Sequence, residues 1–146
     1  MDTNLKYKKI ISTAWLGMAL LIMMMQITDL IEAGMAMDFT SFNEHLKMSG
    51  LWLISVMLII NIAVQMIVVT FDHPNAKKAV FVMSILYTAF MIYHQIDHLI
   101  GGDRYDIHFN FDILHHTLGV WAIIFSYKWM NLGKIISVSN GVSSAK

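Results

Sequence analysis

Cysteine is absent from the 146 residues, and the sequence holds one proline and few charged side chains. Without cysteine there are no disulfides, thiolate metal sites or cysteine nucleophiles, so a metal must bind through His, carboxylate, Met or backbone oxygen. Charged residues make up 14% of the chain, whereas a soluble domain usually has about 25%. The formal net charge is zero, so nothing indicates a nucleic-acid partner.

Hydrophobic residues, by contrast, make up 57% of the chain and lie in four long runs. About twenty apolar residues in an α-helix cross a hydrocarbon layer of roughly 30 Å. The runs therefore predict an all-α integral membrane protein in a lipid bilayer. We interpret residues 1–146 as a single membrane domain of four spans followed by a tail: TM1 over about 10–32, TM2 over about 50–71, TM3 over about 79–100, TM4 over about 111–129, and the tail over 131–146.

The basic residues predict how the chain is oriented in the membrane. Four spans in an antiparallel, up-down-up-down bundle place both termini on one side. Eight of the ten basic residues fall on that side, and only Lys47 and Arg104 fall on the other. Because cytoplasmic segments carry an excess of Lys and Arg, we expect both termini to be cytoplasmic and the protein to lie in a bacterial inner membrane.

Ionisable residues that can bind metals gather at the opposite, extracytoplasmic end. They close TM3 and open TM4, and further carboxylates close TM1. Helical residues three or four apart share a face, so TM1, TM3 and TM4 each offer at least one pair of possible metal ligands. The candidate metal ligands are His94, Asp97, His98, Asp112, His115, His116, Asp29 and Glu32.

This combination of side chains is typical of a metal site. A ligating His usually donates its second ring N–H to a carboxylate or a carbonyl, and Asp stands beside His in both clusters. Carboxylate and imidazole without thiolate favour Zn, Fe or Mn, and Cu(II) also fits. An open coordination position on such a metal supports hydrolysis or oxidation. We therefore expect a metal-dependent oxidoreductase or hydrolase acting on a lipid-like substrate.

The spacing predicts that His94, His98 and His116 converge on one ion. His115 is expected either to join them or to face the outer surface. Two of the carboxylate sites have simpler explanations. Asp112 is suited to capping the first turn of TM4, and Asp29 with its neighbour Glu32 suits ordinary interfacial charges at the end of TM1.

A resemblance to a known class of enzymes covers residues 93–116. The His-x-x-x-His and Asp-x-x-His-His runs there resemble the histidine boxes of membrane di-iron hydroxylases and desaturases. Those proteins are larger and carry more boxes with different spacing. The resemblance therefore implies no activity for this chain.

Two other functions remain open at this level. One is a b-type haem electron carrier, with axial ligands drawn from His94, His98, His115 and His116, and with a quinone as its partner. The other is a non-catalytic protein: a conduit, or an accessory subunit covered by a membrane partner or by a second copy. A conduit is disfavoured because TM2 offers only Asn61 and Gln65 as polar interior residues.

Overall fold

Four α-helices make up most of the protein. The structure is a computed structural model that describes residues 2–37, 48–101 and 108–132, apart from the side chains at 36, 48–51, 97–99, 108 and 109. The helices are α1 (Thr3–Ala36), α2 (Met48–Thr70), α3 (Pro74–Gly101) and α4 (His108–Met130). Each begins earlier than its predicted span, and α1 is also longer at its carboxyl end.

Local capping explains two of the helix starts. The Asp2 side chain accepts a hydrogen bond from the Asn4 backbone N–H and caps α1, as expected of Asp at this position. Pro74 is the first residue of α3, where its missing N–H costs nothing. The Nδ1 atom of His73 accepts the Asn75 N–H at 3.2 Å, so His73 serves as a cap.

The start of α4 corrects one interpretation of the sequence. Because α4 begins at His108, Asp112 lies in its second turn and does not cap it. The apolar run that predicted the span begins at Phe111, so hydropathy alone placed the helix start about one turn too late.

Three helices are long and apolar enough to cross a membrane: Thr3–Met35 of α1, Trp52–Thr70 of α2 and Pro74–Ile96 of α3. Helix α4 is not among the candidate spans found in the described residues, and Asp112, two adjacent histidines and Lys128 interrupt its hydrophobic residues. The chain is thus a helical protein with three candidate membrane spans, and α4 packs among them.

The outward faces of the helices are covered by large apolar side chains. Examples are Trp52 at 66% exposed, Ile62 at 56% and Trp121 at 53%. Contiguous apolar surface on this scale is rare in proteins surrounded by water. It suits a surface surrounded by lipid.

The inward faces form one core along the bundle. On α1 the buried residues Ile11, Trp15, Met18 and Ile22 recur at intervals of three or four, which is the spacing of one helical stripe. Facing helices contribute a second set of fully buried residues: Val64, Val68, Val80, Ala122 and Trp129.

Helix α4 packs against both α1 and α3, and α1 also packs against α2. The contacts follow a consistent order. Residues early in α1 meet residues late in α4, as in the pair Tyr7 and Phe125, whose ring centroids are 6.2 Å apart. Residues in the middle of α3 meet residues in the first half of α4, as in the pair Tyr87 and His115 at 5.7 Å.

A polar group that we call the basal cluster joins all four helices at the end where α1 begins. It consists of Asn4, Lys8, Asp72, Lys77 and Trp129. The Trp129 Nε1–H donates to Asn4 Oδ1 at 2.7 Å, and the Asn4 amide donates to Asp72 Oδ1 at 2.9 Å. Lys8 Nζ lies 3.0 Å from Asp72 Oδ2, and Lys77 Nζ lies 5.2 Å from the Trp129 ring centroid.

The basal cluster predicts a pH dependence of stability. Hydrogen bonds from Asn4 and Lys8 hold the pKa of Asp72 below its ordinary value. Because the folded-state pKa is the lower one, the stabilisation is present in full above the unfolded pKa of about 3.9. It is lost as the pH falls through the folded pKa. We expect Asp72→Asn to unfold at a lower temperature than the parent at pH 7, by less than about 1 kcal/mol for so exposed a pair.

Thermal unfolding in detergent at stepped pH measures this effect. The difference between the parent and Asp72→Asn should shrink as the pH is lowered below about 4. A difference that stays constant to the lowest tolerated pH contradicts the assignment.

Close packing between α3 and α4 depends on Gly119. A Cβ atom at that position would lie 2.6 Å from Thr88 Oγ1 and 3.0 Å from Thr88 Cγ2. Thr88 is itself buried, and its hydroxyl donates to the Ser84 carbonyl at 2.8 Å. Small residues allow this kind of helix approach in membrane proteins.

We expect Gly119→Ala to destabilise the protein by about 1–3 kcal/mol, the usual cost of overpacking a filled core. Helix propensity alone predicts the opposite sign, because Ala exceeds Gly by about 1 kcal/mol. The matched control is Gly34→Ala, where an added Cβ meets nothing within 4 Å. Equilibrium unfolding in mixed micelles measures both variants, and Thr88→Ala in the Gly119→Ala background should recover part of the loss. Stabilisation by Gly119→Ala alone contradicts the close contact.

Candidate functional site

The end of the bundle opposite the basal cluster, which we call the distal end, carries the candidate ligands of α3 and α4. Gln95 of α3 and His116 of α4 line the same groove, together with Ile113, Thr117 and Trp121. Two more positions are placed by helix geometry. Position 98 follows Gln95 by three residues and Asp112 precedes His116 by four, so each shares a helix face with a groove residue.

His116 has one ring nitrogen committed and one available. Its Nδ1 pairs with the backbone carbonyl of Asp112. A carbonyl only accepts, so Nδ1 carries the proton and the neutral ring presents a lone pair at Nε2. Nε2 is buried and has no hydrogen-bond partner among the described residues. This arrangement is the one a metal-ligating histidine usually adopts.

His94 is half-buried on α3, with its ring 6.5 Å from the Phe90 ring. It takes part in a further interaction, and so does Asp112 on α4. The side chains of Asp97 and His98 lie outside the described residues, although the backbone of both is helical. Among the side chains that the structure describes, no three His, Asp or Glu residues come together.

The carboxylates at the end of α1, Asp29 and Glu32, lie further toward the distal end of the bundle than Asp112 does. Gly17 of α1 packs against Leu118 of α4. Asp29 follows Gly17 by about 18 Å of helix, whereas Asp112 precedes Leu118 by only about 9 Å. Asp29 is therefore about two turns beyond the level of Asp112, where it takes part in an interaction of its own, and Glu32 is exposed. The structure does not bring this pair to the level of His116.

His115 does not accompany His116. Adjacent residues point about 100° apart on a helix, and His115 is turned into the core with 1% of its surface exposed. It neither faces the outer surface nor lines the groove of His116. Its ring instead stacks on Tyr87, at 5.7 Å between centroids and 14° between planes.

His115 belongs to a second polar group, which we call the central cluster: Trp15, Asn61, Tyr87 and His115, one from each helix. Tyr87 is its centre. The Trp15 ring lies 5.0 Å away between centroids, and the Asn61 amide donates to the Tyr87 hydroxyl at 2.8 Å. All four residues are less than 5% exposed. At about 1.5 Å per residue, Trp15 and Tyr87 stand roughly 18–20 Å from the first residues of their helices, near mid-bundle.

Hydrogen bonding in the central cluster is incomplete among the described residues. Both Asn61 amide protons are used, on the Met57 carbonyl and the Tyr87 hydroxyl. Asn61 Oδ1, the Trp15 indole nitrogen and both ring nitrogens of His115 have no partner there. Each such atom costs about 1–3 kcal/mol if it stays unpaired. Four would cost on the order of the whole stability of a domain, about 5–15 kcal/mol.

The sequence shows only part of these groups. Asn61 was expected in the interior of α2 and is fully buried. Gln95, Trp15 and Tyr87 were not singled out, because aromatic residues and a lone Gln are common in any membrane helix. The spacing of three residues between Ser84 and Tyr87, which puts two polar side chains on one face of α3, was the available signal. Ser84, Thr88 and Ser126 are further buried polar residues of the core.

Comparisons with protein-family models, with curated proteins and with solved structures found no match to this chain. The geometry of the chain's own residues therefore carries the functional argument.

Proposed function

We propose that this chain is an integral membrane four-helix bundle with a His/carboxylate metal site at its distal end. The antiparallel, up-down-up-down arrangement is supported by the order of the contacts. Asn4 meets Trp129, Gly17 meets Leu118, and Ser84 meets Ser126 with hydroxyl oxygens 3.2 Å apart. Along α1 and α4, rising numbers on one helix therefore meet falling numbers on the other. Along α3 and α4, the pair Ser84 and Ser126 is followed by the pair Thr88 and Gly119, which is the same order. With α4 as the fourth span, the distribution of Lys supports a cytoplasmic basal end, in a bacterial inner membrane.

The proposed ligands are His94, His98 and His116, with Asp112 as a fourth ligand or a hydrogen-bond acceptor. The observation that supports the proposal is the groove lined by His116 of α4 and by Gln95, the residue that follows His94 on α3. Position 98 lies one turn beyond His94 on the helical backbone of α3, so the two positions share a helix face.

The metal in this proposal is Zn, Fe, Mn or Cu(II), since the ligands are imidazole and carboxylate without thiolate. A bound metal of this kind supplies Lewis acidity or oxygen chemistry at an open position. The groove beside it is bordered by Ile113, Val120 and Trp121, which are about half exposed. These side chains face lipid, which favours a lipid-like substrate for an oxidoreductase or hydrolase.

A b-type haem fits the described residues less well. Among the candidate axial histidines whose side chains the structure describes, His115 is the most deeply buried. Its inner face is already covered by Tyr87, and Tyr87 is in turn packed against Trp15. A macrocycle there would displace two buried aromatic side chains that hold four helices together.

Purification from membranes in mild detergent tests the proposal. Elemental analysis should find about one equivalent of one transition metal per chain, and the absorption spectrum should lack a Soret band. A Soret band with iron would replace the proposal with the haem alternative. A chain without stoichiometric metal, also after incubation with each candidate ion, would refute both.

A further inference from the structure

The central cluster is separate from the proposed metal site. Its members lie in the core, whereas the groove of His116 opens on the outside of the bundle. Trp15, Asn61 and His115 each contact Tyr87, and each carries at least one buried polar atom with no partner among the described residues. Ordinary buried polar residues of this bundle differ. Ser84, Thr88 and Ser126 all donate to carbonyls of their own helices.

The unpartnered atoms indicate what kind of ligand fits. The Trp15 indole only donates, and Asn61 Oδ1 only accepts. His115 in its neutral form donates from one nitrogen and accepts at the other. A cation would be repelled by the indole N–H, and an anion by the Asn61 carbonyl oxygen. A small neutral molecule that both donates and accepts is the complementary ligand.

We propose that the central cluster is an internal water-binding site, in which ordered water links Trp15, Asn61 and His115 around Tyr87. Buried water in proteins typically makes about three hydrogen bonds to groups that lack protein partners. Polar groups inside a membrane bundle are satisfied in the same way. The site would place water beside an imidazole near the middle of the hydrocarbon layer, independently of any metal at the distal end.

Solid-state NMR of the full ¹⁵N-labelled chain in lipid bilayers tests this directly. Magnetisation starting on water is transferred to the indole and imidazole nitrogens, and indole signals are assigned by single Trp→Phe changes. The Trp15 indole and the His115 ring should receive signal from water. The indole of Trp121, which faces lipid at 53% exposed on α4, is the matched control and should receive none.

The variant Asn61→Leu removes one water acceptor and should abolish or strongly reduce the transfer to Trp15. Ser126→Ala, which removes an equally buried hydroxyl that already has its partner, should leave the transfer unchanged. If the Trp15 indole of the parent chain receives as little signal from water as the Trp121 indole, the proposal is overturned. Transfer that Asn61→Leu leaves undiminished also overturns it, because the water is then not shared across the cluster.

Discussion

Replacement of His98 by Ala is expected to abolish stoichiometric metal retention. Position 98 is one helical turn from His94 and shares a face with Gln95, which lines the groove of His116. The proposed site has only three or four protein ligands, so the loss of one imidazole weakens metal binding. Elemental analysis of the purified variant, normalised to protein, gives the metal content.

His73→Ala is the matched control for that variant. His73 lies at the other end of the bundle, where its Nδ1 caps α3 through the Asn75 N–H. We expect this change to lower stability by about 1 kcal/mol, as loss of a cap does, and to leave the metal content at the parent value. Equal metal content in the two variants would remove the distal site from the account.

Trp15→Ala is expected to cause the largest loss of stability among single truncations, about 3–5 kcal/mol. Trp15 has no exposed surface and lies in the core cluster that extends along α1. Its removal opens a cavity beside Tyr87, against which the Trp15 ring packs. The free energy of unfolding in mixed micelles, from a titration with a denaturing detergent, measures the effect.

Trp52→Ala provides the comparison, because Trp52 is 66% exposed on α2. Its side chain contacts the surroundings of the bundle more than its core. We expect a change below about 1 kcal/mol, the usual range for positions without buried contacts. Similar losses for the two tryptophans would show that the core is not where the structure places it.

The helices were largely predictable from the sequence. Long apolar runs form helices in a lipid bilayer, because the backbone must satisfy its own hydrogen bonds there. Pro74 marks the boundary between α2 and α3. Helix starts were less predictable, since His108, Phe109 and Asn110 belong to α4 although they carry no continuous apolar signal. Hydropathy reports which part of a helix lies in lipid, and a helix continues beyond that layer.

The sequence names candidate residues for the distal site but does not give the directions of their side chains. Spacing places Asp112 one helical turn before His116, and in the structure the His116 ring is hydrogen-bonded to the backbone carbonyl of Asp112. The predicted pairing with the Asp112 carboxylate stays a prediction. Spacing did not reveal that His115 turns toward Tyr87, because the rotation of a helix about its axis is set by packing of large residues such as Trp15 and Trp129. Spacing also did not give the level of Asp29 along the bundle relative to Asp112, because that level depends on the register between α1 and α4.

X-ray absorption spectroscopy of the metal-loaded parent chain tests the central claim most directly. At the edge of the metal that co-purifies, the account predicts two or three imidazole nitrogens at about 2.0–2.1 Å, the distance found for zinc sites, with one oxygen ligand beside them. The imidazole contribution should decrease in His116→Ala to which an excess of the same metal has been added. A spectrum with only oxygen neighbours, or one that His116→Ala leaves unchanged, would contradict a site shared by α3 and α4.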